Sequence, residues 1–319
     1  MSAAGQLVSA TRGLRHLLQA ERVGCICCTG GPVPPVVGWL ASRRLADVRV
    51  VWHLRGTPTR SLTHWDWRSR LLRQFCTWVS PTVPLLITGS FAAQMGAQAM
   101  GYRCKRQVVI CNGVDAARFR PDPAARAAFR SEWGISSGRK LVGLAGRLDP
   151  VKGHPAILEA DRIMAGERDD LLFVCVGDGP EPYRGHLHRL GTELGLGERL
   201  TWTGARPHGE MPAVFNALDI LCLSSHSESF VYVLAEAMAC GIPCVATRVG
   251  GVPEVIGNVG ITVPPGDPTA LAHGVLTALL AEPRPEVLRR HVVEAFSVEA
   301  IVGATEREFE ALIGSGESR

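Results

Sequence analysis

Short apolar runs alternate with helix-period segments along almost the whole chain, and that alternation constrains the fold class more than any other feature. Apolar runs stand at 23–28 (VGCICC), 48–52 (VRVVW), 84–88 (PLLIT) and 107–111 (QVVIC), and again at 140–145, 171–177, 199–203, 219–223, 243–246 and 260–263. Between them, apolar residues recur every three to four positions. The first such segment, over 6–20, sets Leu7, Ala10, Leu14, Leu17 and Leu18 on one helix face. The pattern predicts an α/β protein with parallel sheets, and its 319 residues suit two domains. We place the first over 1–122, the second over 123–300, and a closing helix and tail over 301–319 that packs back toward the first. A proline-flanked stretch around 120–138 reads as the hinge. The second domain has a full doubly wound set of units, so its ligand crevice is expected at the carboxyl ends of its strands.

VGCICC is apolar on both faces, as a central parallel strand would be. Nothing earlier in the sequence pairs with it, so either a partner covers the open edge of strand 23–28 or the chain is a truncated product of a longer frame. A Trp-rich basic stretch carries Arg60, Trp65, Trp67, Arg68, Arg70, Arg73 and Trp78. The helical spacing of Trp67, Leu71, Phe75 and Trp78 favours core packing over nucleic-acid binding, and we expect no nucleic-acid partner. An interfacial membrane helix is the better functional alternative for that segment.

With 46% apolar residues the chain is neither disordered nor a small disulfide scaffold. No run of about 18 apolar residues escapes Gly, Pro or charge, which argues against a membrane span. The first 25 residues lack a leader pattern, and most of the ten cysteines sit inside apolar runs. Both point to a reduced, cytoplasmic setting. The Cys25–Cys28 and Cys240–Cys244 spacings lack histidines at zinc-ligand intervals, and no metal is expected.

The net charge of +4 conceals an asymmetry. Residues 1–120 hold 16 Lys+Arg against 4 Asp+Glu, and residues 121–319 hold 18 against 26. The basic half can face the acidic one, or it can meet an anionic surface or ligand, such as membrane phospholipid or a phosphorylated acceptor.

Two segments carry candidate chemistry. Strand 140–145 runs into Gly146-Arg147-Leu148-Asp149-Pro150-Val151-Lys152-Gly153. A glycine-bounded loop at a strand end offers backbone N–H groups to an anion, and Arg147 and Lys152 add a fork-shaped and a point charge suited to a diphosphate. A surface salt-bridging pair is the plain alternative. The loop follows neither the Walker nor the G-x-G-x-x-G order, which argues against a dinucleotide-dependent oxidoreductase. The second segment, 225–241, sets Glu228 in the loop after strand 219–223 and Glu236 in the next helix. Two carboxylates can accept paired hydrogen bonds from the vicinal hydroxyls of a sugar and a ribose, with helix N-terminal amides between them for phosphates. Alternatively, Glu228 is a cap and Glu236 an exposed helix residue. However, Glu236 is flanked by Leu234, Ala235, Ala237 and Met238, where an unpaired carboxylate is expensive.

Five segments in register, VVWHLRG (50–56), NGVDAARFRPD (112–122), GRLDPVKG (146–153), VGDGP (176–180) and ESFVYVLAEAMACGIPCVATRVGG (228–251), resemble the family-4 retaining glycosyltransferases of the GT-B fold. The resemblance spans about residue 10 to residue 313. It implies two Rossmann-like doubly wound domains facing a cleft, and transfer of a sugar from a UDP- or GDP-linked donor to a lipid-linked or polysaccharide acceptor with retention of configuration. The nucleotide sugar is then a co-substrate, and no cofactor is implied. Arg147 and Lys152 would hold the donor diphosphate on the Gly146 loop, Glu228 would contact the transferred sugar, and Glu236 the ribose. Amides around Ser229, Phe230 and Val231 would complete the phosphate cradle, Gly204, Ala205 and Arg206 would lie beside the base, and His53 would face the donor sugar from the first domain. A plain loop histidine is the alternative for His53.

The absence of any Asp-x-Asp fits metal-independent transfer. The family carries glycines where this chain has Ser229 and Val231, so an altered cradle is expected. It also carries strand–helix units ahead of the helix at 6–20, so the first domain is expected to be abbreviated. A protein that binds nucleotide sugar with little or no transfer is the competing reading. The basic first domain places either one peripherally on the inner face of a membrane.

Overall fold

The computed structural model describes residues 3–56, 67–282 and 284–314. They fall into two compact units, Met1–Cys111 with Ile301–Arg319, and Asn112–Ala300. Arg60, Trp65 and the tail beyond 314 lie outside the described residues.

Unit 1 runs α1 (Ala3–Ala20), β1 (Cys25–Thr29), α2 (Val33–Ser42), β2 (Arg49–Leu54), α3 (Trp67–Val79), β3 (Leu85–Thr88), α4 (Phe91–Ala99) and β4 (Arg106–Val109). Its four strands pair in parallel in chain order. Alternate residues of β2 and β3 enter two separate cores, as a two-residue period requires. Val50, Trp52 and Leu86 pack with Val36 of α2 and Cys76 and Val79 of α3. Val51, Leu85 and Ile87 face Ile301, Phe309 and Leu312 near the C-terminus. Among the described residues β1 pairs only with β2, leaving its outer edge open, with Cys28 buried and Cys27 exposed.

Unit 2 opens with α5 (Pro123–Glu132), β5 (Lys140–Ala145), α6 (His154–Glu167), β6 (Leu171–Val176), α7 (Glu181–Glu193), β7 (Leu200–Gly204) and α8 (Met211–Ala217). It continues through β8 (Ile220–Leu223), α9 (Tyr232–Ala239), β9 (Cys244–Thr247), α10 (Val252–Ile256), β10 (Ile261–Val263), α11 (Pro268–Leu280) and α12 (Pro285–Phe296). A last helix, α13 (Val298–Gly314), belongs to unit 1 from Ile301 onward. All six strands are parallel in the order β10-β9-β8-β5-β6-β7. Chain direction across the sheet reverses between β5 and β8, and a crevice opens at such a switch point beyond the strand ends.

Two expectations are corrected. The stretch around 120–138 contains a helix rather than a hinge. Asp122 caps α5 by accepting a hydrogen bond from the Ala125 amide at 2.9 Å, and Pro123 starts the helix, where its missing N–H does no harm. Arg126 and Arg130 then reach the Asp219 carboxylate at 2.8 and 3.0 Å, and Asp219 also accepts from the Leu141 amide at 2.8 Å. That hub fixes α5 to unit 2.

The second correction concerns α3. Trp67, Leu71 and Trp78 are 65%, 56% and 73% exposed, so they do not pack in the core. The sheet instead takes Cys76 and Val79, with Leu72 and Phe75 half-buried beside them. The helix carries two apolar stripes, and a flat sheet covers only one.

Candidate functional site

The loop after β5 is shaped by its own side chains. Asp149 accepts a hydrogen bond from the Val151 amide at 2.9 Å and closes a tight turn over Pro150–Lys152. Gly153 follows at φ +66°, a left-handed conformation that a side chain strains. Lys152 Nζ lies 2.6 Å from Glu228 Oε1, and the Ser225 hydroxyl donates to the same oxygen at 2.6 Å. The Lys152 and Glu228 side chains are only 20% and 9% exposed, so this pair is largely shielded from water. Glu228 does not cap α9, whose N-cap is Val231. Arg147 behaves differently: 77% exposed, it has Asp149 at 3.5 Å and projects into solvent.

Neighbouring loops at the strand ends touch main chain to main chain. A Cβ at Gly153 would stand 2.1 Å from the Ser224 carbonyl oxygen, and one at Gly250 would stand 1.6 Å from that of Glu228. At Gly177 and Gly179 the obstacles are the Gly146 and Leu148 carbonyl oxygens, at 1.9 and 2.2 Å. These contacts link the loops after β9, β8, β5 and β6 in the order of the sheet itself. Gly146 and Leu148 also donate to the Val176 and Asp178 carbonyls, both at 2.9 Å.

A cavity of about 680 Å³ opens at this end of unit 2. Gly146, Arg147, Ala205, Arg206 and Glu236 line it together, while Gly204 ends the adjacent strand at φ +68°. Glu236, fifth residue of α9, is 7% exposed, and its carboxylate accepts no hydrogen bond from any described residue. The alternative of an exposed helix position is therefore ruled out. Burial pushes its carboxyl up from 4.5 to about 7, opposed by the positive charge of Arg118. A carboxylate with open acceptor sites inside a cavity is equipped to bind paired hydroxyls.

The remaining expected residues fall outside that lining. Phe230 and Val231 are buried, and the Phe230 ring packs against Tyr232 and Phe296 at 5.0 and 6.0 Å. Ser229, Phe230, Val231, Lys152 and Glu228 are not among the lining residues. His53 lies in unit 1 on β2, paired in register with Thr29 and Ile87. Burial, and then the Arg55 charge, hold its imidazole below its ordinary value, and its Nε2 has no described partner.

Several cavity residues were missed. Asp115, Phe119, Asp178, His208 and Met211 all line it. Arg118 lies over the Phe119 ring at 5.5 Å and donates to the His208 carbonyl. The NGVDAARF and VGDGP strings marked the segments of Asp115, Phe119 and Asp178 without assigning a role to a side chain, and His208 and Met211 lie in neither string.

The family described as Glycosyl transferases group 1 matches residues 125–294, and Glycosyltransferase Family 4 matches residues 2–118. A D-inositol 3-phosphate glycosyltransferase of Corynebacterium efficiens is 36% identical over 183 residues, 54% of this chain and 42% of its own length. A GDP-mannose-dependent alpha-(1-6)-phosphatidylinositol monomannoside mannosyltransferase of Mycolicibacterium smegmatis is 35% identical over 181 residues, 54% and 46% of the two chains. The chain thus spans about half the length of the curated relatives it matches. Among solved structures, Anabaena Alr3699/HepE in complex with UDP superposes with a TM-score of 0.83 at 25% identity, covering 98% of this chain and 84% of that one.

Proposed function

Because the chain belongs to the group 1 glycosyl transferases, we propose that it moves a sugar from a nucleoside diphosphate donor to a hydroxyl acceptor. The observation that carries this reading is the unit 2 cavity, with Gly146 and the Arg147 guanidinium at one wall and the buried Glu236 carboxylate, which has no described hydrogen-bond partner, at another. Glu236 accepts from the two ribose hydroxyls, Arg206 and the 204–206 backbone border the base, and Arg147 and Lys152 neutralise the diphosphate. Glu228, released from Lys152, contacts the transferred sugar, with the amides of 229–231 beside the phosphates. UDP and UDP-glucose are found with the Anabaena neighbour, and a GDP-sugar is named for the Mycolicibacterium relative, which supports a UDP- or GDP-linked donor.

In the reaction the bond between the anomeric carbon and the diphosphate oxygen breaks, and the acceptor oxygen bonds to that carbon from the same face. The leaving phosphate takes the acceptor proton. Charge develops on the departing diphosphate, and Arg147 and Lys152 meet it where other transferases use a divalent ion. The acceptor is lipid-linked or polysaccharide, met at an anionic membrane surface. Support for that surface comes from the basic N-terminal third and from Trp67, Leu71 and Trp78 exposed beside Arg68 and Arg70. No described helix is long and apolar enough to cross a membrane.

The test is a thermal-shift screen with UDP-, GDP- and ADP-sugars, followed by donor hydrolysis and transfer assays on each hit. One nucleotide class should stabilise the wild type, and Lys152→Ala should weaken that binding at least tenfold. Binding without turnover identifies a donor-binding protein, and stabilisation by none of the three refutes the reading.

A further inference from the structure

In unit 1, α1 lies against α2, and a concavity of about 280 Å³ opens between them. Four of its lining residues are arginines: Arg12, Arg15, Arg43 and Arg44. Among the described residues none of the four has a carboxylate within ion-pairing distance. Elsewhere the protein pairs its arginines freely, as at Arg126, Arg130, Arg168, Arg184 and Arg199.

Two of the four arginines are already held in place. Arg15 donates to the Ala41 and Leu40 carbonyls at 3.0 and 2.5 Å, closing the C-terminal end of α2. Arg43 lies 5.2 Å from the Trp39 ring, and the Trp39 indole donates to Thr82 at 2.8 Å. Arg12 and Arg44 are exposed and make no described hydrogen bond. A helix C-terminus carries only about half a negative charge, and Arg15 alone answers it. Roughly three positive charges therefore remain uncompensated over one small concavity.

The walls add a second property. Leu40 is half-buried in the concavity, and Val8 is 57% exposed at its margin. Guanidinium forks match phosphate oxygens in pairs, and an apolar wall beside them suits a hydrocarbon chain. We propose that the α1–α2 groove binds a phosphate group carried on an apolar chain, with Arg12 and Arg44 closing on an anion that Arg15 and Arg43 receive. The groove shares no residue with the donor cavity. The inference rests on unit 1 alone and stands or falls without the donor reading.

Such a phosphate can belong to a bilayer headgroup or to a freely dissolved ester, and the experiment separates them. The full-length protein is titrated without nucleotide against short-chain soluble phosphatidic acid, inorganic phosphate, and phosphatidylcholine vesicles with and without phosphatidic acid. Arg12→Gln/Arg44→Gln removes two exposed charges from the groove, and Arg162→Gln/Arg290→Gln removes two exposed charges from unit 2 as a matched control. At about fivefold per arginine, the groove pair should lose roughly 25-fold in affinity for soluble phosphatidic acid, while the unit 2 pair stays within about twofold. Val8→Ser should weaken the lipid and leave inorganic phosphate binding unchanged.

Binding to doped vesicles with the same dependence on Arg12 and Arg44 assigns the bilayer as the source. Binding of the soluble probes without the vesicles assigns the dissolved ester. No saturable binding of any probe, or equal losses in the two arginine pairs, overturns the proposal.

Discussion

Glu236→Gln isolates what burial does to the buried carboxyl of the unit 2 cavity. The substitution preserves shape and removes ionisation. Below about pH 4 both side chains are neutral, so the two proteins should differ little. The folded protein holds the proton up to about pH 7, while the unfolded chain releases it near 4.5. Between those values the folded state binds more protons than the unfolded one, so stability falls as pH rises through the window. A rise from 4.5 to about 7, at about 1.4 kcal/mol per unit, corresponds to about 3 kcal/mol. Urea denaturation should therefore show Glu236→Gln gaining about 3 kcal/mol on the wild type between about pH 4 and about pH 8. A carboxyl carbon NMR titration should place the wild-type midpoint near 7, and Arg118→Met should raise it further by removing the opposing charge. A stability difference that stays flat across the window, or a midpoint at the ordinary glutamate value, refutes the argument. If Glu236 also accepts ribose hydroxyls, nucleotide affinity of the wild type should rise with pH over the same interval, and that of the glutamine variant should not.

Other substitutions probe the frame. Asp219→Ala leaves Arg126, Arg130 and the Leu141 amide without their shared acceptor; a loss of about 3 kcal/mol is expected, with early proteolysis within α5 as the local readout. Gly250→Ala sets a methyl group against the Glu228 carbonyl at a position with φ +52°, and should lower stability by about 3 kcal/mol or more in a urea titration.

Glu236 was legible in the sequence because its burial is local: Leu234, Ala235, Ala237 and Met238 leave no polar face at its level, and a helix that is apolar all round is buried on every side. Lys152 and Glu228 were legible as charges, but their 2.6 Å contact depends on loops after different strands meeting, which a linear reading does not contain. Arg118 and His208, 90 positions apart, were invisible for the same reason. The α3 stripe misled because helical spacing identifies an apolar face without saying whether anything lies against it. Prolines around 120–138 misled in the opposite sense, since Pro at a first helical turn and Pro in a linker look alike until Asp122 is seen to cap.

The chain of main-chain contacts through Gly250, Gly153, Gly177 and Gly179 has a consequence for how such a cavity changes over time. Its mould is cast largely in backbone, loop upon loop. Arg147, Arg206 and His208 are mounted on that mould as replaceable fittings. Exchanging them can alter which ligand the cavity accepts while the frame stays intact, whereas a single methyl group at any of the four glycines disturbs the frame itself.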